Sequence, residues 1–267
     1  MAASKLQQVT DFYRNGWCRV PYDASIAAWV DAAKPAAQAA VNDPAFAQWL
    51  RHGKTWFAGV NALPNDGAGR VHSSGPMPKP ILKTLENLDL AFTTWDRAQI
   101  SVIYPGYPQQ DPGETDTAHR FRRNRDAAHV DGLLPVGPTR RRMLQEPHSF
   151  VLGIPLSQTA ASPLVVWNQS HTLMQQALGQ VLNQHAPNDW PTIDITDAYQ
   201  AARRTAFNIC QRVTVTARPG EAYVVHRLAL HGVAPWKPTD TAPPEGRMIA
   251  YFRPELPMGG PDWISAR

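Results

Sequence analysis

Cysteine is nearly absent: Cys18 and Cys210 are the only two in 267 residues. With no C-x-x-C spacing, neither a disulfide framework nor a cysteine zinc site is readable, and a reducing compartment, the cytoplasm, is the expected location. Charge is also sparse. Charged residues make up 18% of the chain and the surplus is only +4, too small to imply a nucleic-acid partner but compatible with an anionic small molecule. Long apolar runs are missing, since the stretches 149–156 and 162–167 fall far below the length that spans a bilayer. No membrane association is expected. Residues 1–16 lack the apolar segment of a signal peptide, so the chain is expected to be soluble and unprocessed.

Proline, by contrast, is abundant, with 25 residues or nearly twice ordinary usage. That favours many turns and a loop-rich β architecture over a helical bundle. Ile100, Val102 and Tyr104 alternate in a β-branched run ended by Pro105-Gly106, and strand-like runs recur near 127–131, 150–156, 164–167, 212–217, 222–226 and 248–252. Earlier, weaker strands are expected at 16–21 and 54–60. Helices are expected at 6–14, at 26–33 with Ser25 as cap and Pro35 as stop, over 81–92, and at about 171–184 and 197–208. Asp43 can cap the stretch carrying Phe46, Trp49 and Leu50. No linker divides the chain, so one domain over 1–267 is expected: a mostly helical part (1–97) packs on a β core (98–256) with a helical insertion at about 170–208. Short strands between Gly/Pro turns suggest a closed or sandwiched antiparallel sheet.

The chemistry-bearing feature is Ala128-His129-Val130-Asp131-Gly132. On a strand, residues i and i+2 share a face, so His129 and Asp131 can converge on one metal. Nine histidines and 16 aspartates predict about 0.5 such H-x-D triplets by chance, so context decides. The context is His231, 102 positions on, in a His-Gly turn, and Arg247 at the start of the last strand. Two histidines and one carboxylate on one face leave open positions on a metal, the arrangement of non-heme Fe(II) oxygenases. Arg247 could form a bidentate fork to a carboxylate. His226 competes with His231 as ligand. The odd separation of the two puts them on opposite faces of any uninterrupted strand, and the His-Gly context favours His231.

Together these segments resemble the phytanoyl-CoA dioxygenase-like branch of the Fe(II)- and 2-oxoglutarate-dependent oxygenases. Residues 12–17 look like that family's opening helix and strand, 99–104 like an early strand, and 129–132 like its metal motif. Ser162 to His171 is similar to its G-x-L-x-V-x-P-G-S-H signature, and 226–235 matches its distal-histidine segment. The resemblance implies a mainly β fold with flanking helices around a double-stranded β-helix (jelly-roll, cupin-like) core. It implies Fe(II) held by His129, Asp131 and His231, with 2-oxoglutarate and O2 as co-substrates and Arg247 gripping the distal carboxylate, Arg253 being the alternative. The implied reaction hydroxylates an unactivated C–H of a small, carboxylate-bearing molecule and releases succinate and carbon dioxide. Asp131 speaks against the related halogenases. Two features depart from the pattern: Val233 stands where the family often has a hydroxyl residue, and the loop 236–246 is long.

Two other readings remain open: a cupin-type Fe(II) dioxygenase that does not use 2-oxoglutarate, and a β-helix binding protein without turnover. Arginines at 120, 122, 123, 125 and 140–142 flank the metal motif. Either they form a solvated loop pair, or, if the strand extends back from His129, Arg123 and Arg125 share its parity and receive an anionic substrate. Trp56, Trp95, Trp167 and Trp236 are candidates for the pocket wall or for the core. Oligomeric state is not legible in the sequence.

Overall fold

The computed structural model describes residues 5–90, 92–256 and 262–265. The elements run α1 (Lys5–Asn15), β1 (Trp17–Val20), α2 (Ala24–Asn42), β2 (Leu50–Arg51), β3 (Trp56–Gly59), α3 (Lys79–Asn87), β4 (Gln99–Ile103) and α4 (Asp116–Asn124). They continue as β5 (Leu133–Val136), β6 (Arg141–Leu144), β7 (Phe150–Pro155), β8 (Leu164–Trp167), α5 (Ser170–Leu182), α6 (Thr196–Ile209), β9 (Arg212–Val215), β10 (Ala222–His226), β11 (His231–Val233), β12 (Arg247–Phe252) and α7 (Asp262–Ser265). Short 3-10 turns cover Pro44–Trp49 and Pro187–Thr192.

A seven-stranded antiparallel sheet has the order β1-β10-β7-β12-β4-β3-β2, and a three-stranded sheet the order β11-β8-β9. The expected jelly-roll is present. Alternation along the strands divides the core into three layers. Val151, Tyr223, Val225, Ile249 and Tyr251 of the large sheet face Leu164, Val166 and Val215 of the small one. The opposite residues of the large sheet, among them Leu152, Val224, Ala250 and Phe252, meet Phe12, Trp29, Ile81 and Leu85 of α1 to α3. Behind the small sheet, Val165 and Trp167 pack on Met174, Leu178 and Ala206 of α5 and α6. Strand β12 lies between β7 and β4 and is buried along all six residues, so its inward side chains, Arg247 included, are fixed between two covered faces.

Several sequence expectations are corrected. Pro35 does not end α2, which continues to Asn42 with Asp23, not Ser25, as its cap. A proline inside a helix costs about 3 kcal/mol. Here it is exposed, so the carbonyl it frees faces water, and buried Ala33, Ala36, Ala37 and Ala40 hold the helix on the sheet. The helix expected over 81–92 is α3, which ends at Asn87. Asp43 does cap the next segment, accepting from the Ala45 amide at 2.9 Å, but that segment is a 3-10 turn. Residues 127–131 form no strand: only His129 makes a β-bridge, to His231. The arginine-rich stretch before it is helix α4, capped by Thr115.

Candidate metal centre

His129, Asp131 and His231 come together, with one potential ligand atom from each lying within 4.8 Å of the others. His129 Nε2 is 3.0 Å from Asp131 Oδ1, and His231 Nε2 is 3.8 Å from Asp131 Oδ2. The two histidines face each other across a reciprocal backbone pair, His129 N to His231 O at 2.8 Å and His231 N to His129 O at 3.0 Å. His231 rides on β11, paired through β8 to the body of the small sheet.

Each imidazole is set by the same local device. His129 Nδ1 lies 3.0 Å from the Ala127 carbonyl and His231 Nδ1 lies 2.9 Å from the Ala229 carbonyl. A carbonyl only accepts, so Nδ1 carries a proton in both rings, and each ring turns its Nε2 to the side of Asp131. Burial lowers the pKa of His231 and keeps that ring neutral, against the opposing pull of Asp131. For His129 lost hydration disfavours the proton, but the hydrogen bond that Nε2 donates to Asp131 and the charge of that carboxylate outweigh it and raise the pKa. Burial disfavours the Asp131 anion, yet the His129 hydrogen bond, Arg253 and His231 hold its carboxyl well below the usual range. The carboxylate is therefore ionised and available as a ligand.

Two glycines make the approach of these segments possible. A Cβ on Gly232 would stand 2.1 Å from the Asp126 carbonyl, which accepts the Val233 amide at 2.9 Å. At Gly132 the backbone is left-handed (φ +79°), and a Cβ there would stand 1.9 Å from the Glu146 carbonyl. The turn before His129 places Asp126 and Ala127 at φ +54° and +53°, a costly conformation for residues with side chains. A bidentate ion pair holds it, Arg212 Nε and Nη2 to the Asp126 carboxylate at 2.8 and 2.7 Å. Ser170 fixes the other side: its hydroxyl donates to the Trp167 carbonyl at 2.6 Å and accepts the Leu230 amide at 2.8 Å. Neither the Arg212 nor the Ser170 contact was read from the sequence. The Ser-His signature marked Ser170, but Arg212 carried no signal.

The triad opens into a cavity of about 370 Å³ whose walls include Trp49, Arg51, Trp56, Ser101, Leu134, Val151, Leu164, Val233, Tyr251 and Arg253. Arg253 Nη1 is 3.7 Å from Asp131 Oδ2. Arg247 is buried on the same side of β12 but does not line the cavity: its Nη2 donates to the Tyr251 hydroxyl at 3.4 Å, and its Nη1 is buried without a hydrogen-bond partner among the described residues. Tyr223 donates to Tyr251 at 3.0 Å. Burial, aided by Tyr251, pushes the Tyr223 pKa well up, so it stays a hydroxyl.

Other expected residues lie elsewhere. Arg123 is within α4, beside Asn124 Oδ1 at 3.3 Å, and Arg125 caps that helix with its guanidinium 4.9 Å from the Phe207 ring centroid. Both are exposed and neither lines the cavity, because the strand that would have given them the parity of His129 is a helix. His226 is buried against Phe12 and His171, accepting the Leu228 amide, and does not approach Asp131. His171 binds the Tyr13 carbonyl. Of the four tryptophans considered, Trp56 lines the cavity; Trp95 and Trp167 are core, and Trp236 is not on the wall. Trp49 joins the wall unannounced.

No family model and no curated protein matches the chain. Solved structures do. The chain is similar to the non-heme α-ketoglutarate-dependent carbocyclase SnoK of nogalamycin biosynthesis, with 16% identity over 92% of this chain and 82% of that one and a TM-score of 0.52. It is similar to the epimerase SnoN in complex with Fe3+, α-ketoglutarate and nogalamycin RO, with 16% identity, 94% and 83% coverage and a TM-score of 0.53. It is also similar to iron-bound EctD from S. alaskensis, with 15% identity, 96% and 78% coverage and a TM-score of 0.50. At such identity the likeness defines the fold: the jelly-roll found in non-heme iron, 2-oxoglutarate-dependent enzymes.

Proposed function

We propose that this protein is an Fe(II)- and 2-oxoglutarate-dependent oxygenase that hydroxylates a C–H bond of a small anionic molecule and releases succinate and carbon dioxide. One observation carries the reading. Two imidazoles whose Nδ1 protons are tied to backbone carbonyls turn their Nε2 atoms to one ionised carboxylate at the mouth of an apolar cavity. That donor set, two imidazole nitrogens and one carboxylate oxygen with open positions beside them, suits non-heme Fe(II), which would displace the proton shared by His129 and Asp131. Bound iron, 2-oxoglutarate and O2 would supply the oxidising chemistry, and the chain supplies binding, orientation and exclusion of water.

His129, Asp131 and His231 would hold the metal. Arg247 would hold the distal carboxylate of the co-substrate, and its unpartnered buried Nη1 supports this, since an anion would satisfy a donor that is otherwise costly to bury. The Tyr251 hydroxyl, on the cavity wall and bonded to Arg247, lies between the two and supplies the hydroxyl that Val233 lacks. Leu164, Val151 and Val233 give the cavity a dry lining. The reading that keeps iron but omits 2-oxoglutarate draws on one fact, that Arg247 does not line the cavity and reaches its wall only through the Tyr251 hydroxyl.

Calorimetric binding of 2-oxoglutarate to the Mn(II)-loaded protein separates the two readings. The oxygenase reading expects a saturable isotherm and a loss of about tenfold or more in affinity for Arg247→Gln, as for a charge-assisted contact. No binding by the parent protein would favour the cupin-type reading.

A further inference from the structure

The two arginines at the ends of β12, Arg247 within it and Arg253 just after it, differ in what they can reach. Arg247 is bonded to Tyr251 and does not line the cavity, whereas Arg253, six residues on, lines it beside Asp131. Among the described residues the Arg253 side chain donates no hydrogen bond. Its Nε is buried without a partner, and its one ionic contact, at 3.7 Å, is too long for a hydrogen bond. Asp131 is in any case shared with both histidines. A guanidinium has five donors in a planar fork, and a side chain only 18% exposed cannot satisfy them all with water. Outside the triad, the ionic side chains on the cavity wall are Arg51 and Arg253, both cationic. The remaining wall is mostly flat and apolar. Trp56 is fixed there by its Nε1 bond to Ser101 at 3.1 Å and by stacking on His52 at 5.4 Å, and Trp49 is covered by Arg51 at 4.7 Å.

We propose that Arg253 receives the carboxylate of the substrate directly beside the metal-binding triad, while Trp49, Trp56 and Leu134 hold an apolar body, so that the substrate is a free carboxylic acid and not its thioester or ester. The proposal rests on the oxygenase reading and divides the arginines: Arg247 for the co-substrate, Arg253 for the substrate. A fork beside Asp131 also places the acid group next to the reacting centre, so the oxidised carbon is close to the carboxylate. A thioester offers no anion to Arg253 and would leave its fork unsatisfied.

The test uses the full chain loaded with Mn(II) and saturating 2-oxoglutarate. Phenylacetate, 3-phenylpropionate and hexanoate are titrated against their methyl esters, following quenching of tryptophan fluorescence, to which Trp49 and Trp56 contribute. At least one acid is expected to bind about tenfold or more tightly than its ester, as a charge-assisted fork provides. Arg253→Gln should abolish that preference and Arg253→Lys should restore part of it, while 2-oxoglutarate affinity in both stays within about twofold of the parent. Equal binding of every acid and its ester, or no binding of any acid, would overturn the proposal. So would an Arg253→Gln variant that keeps the acid preference and loses 2-oxoglutarate, which would make Arg253 the co-substrate's residue. Failure of the parent to bind 2-oxoglutarate at all contradicts the oxygenase reading instead, and is seen before any acid is added.

Discussion

The two histidines of the triad reach Asp131 from unequal scaffolds. His231 stands on β11, hydrogen-bonded into the small sheet, with 7% of its side chain exposed; His129 stands after a turn, makes a single bridge, and is 51% exposed. One half of the site is therefore part of the barrel and the other is hung on it. The hung half holds its place through three contacts: the bridge to His231, the Asp126 carbonyl over Gly232, and the Arg212 pair on Asp126. Two consecutive left-handed residues in that turn show that the contacts, and not local preference, set its shape.

Separating the halves by force should have the largest effect. Gly232→Ala places a methyl 2.1 Å from a backbone carbonyl that cannot rotate away. Overpacking of this kind costs about 1–3 kcal/mol or more, and here the turn yields before the strand. Chemical denaturation is expected to show that loss, and Fe(II) affinity should fall further than stability does. Unchanged Fe(II) affinity would mean that the turn does not depend on this contact.

A milder cut removes only the support of the turn. Arg212→Lys keeps a cation beside the buried Asp126 carboxylate but loses the bidentate fork, so less global stability is at stake than if the charge were left unpaired. The expected change is in metal affinity, about tenfold weaker, as for other contacts that orient a ligand-bearing segment. A thermal shift as large as that of Gly232→Ala would show that the pair holds the fold and not the site.

The smallest effect expected is a reporter of the contrast. Cys18 is buried on β1 under the fixed layer, and burial, with Asp11 adding to it, pushes its thiol up to about 12; Cys210 is half-buried, two residues before Arg212. The thiolate is the reactive form. At pH 8, iodoacetamide should label one thiol per folded chain, mapped to Cys210 by mass spectrometry, and the second only on unfolding. Labelling of Cys18 in the folded protein would contradict the burial of that layer.

The same contrast explains what was legible in the sequence. Strands β4, β7, β8, β10 and β12 announce themselves because each buries one or both faces and alternates or runs apolar. His231 was legible because glycine must follow it where another backbone crosses. The convergence of His129 and Asp131 with His231 was legible, but not the support of their turn. A turn held in a costly conformation by distant Arg212 has no local signature, and extending a strand through it led to the misplacement of Arg123 and Arg125. Helix α4 was hidden because its surface is almost wholly polar, with Phe121 its one large apolar contact. The bonding of Arg247 and Tyr223 to Tyr251 depends on which side chains meet across strands, information that exists only once β10 and β12 flank β7.

The central claim is that the triad binds iron and leaves room for a chelating keto acid. The direct measurement is an anaerobic titration of the metal-free protein with Fe(II) and then 2-oxoglutarate, followed by visible absorption, beside Asp131→Ala. The account predicts a charge-transfer band in the parent that is absent from the variant. Iron binding without any band, or a band that survives Asp131→Ala, would contradict it.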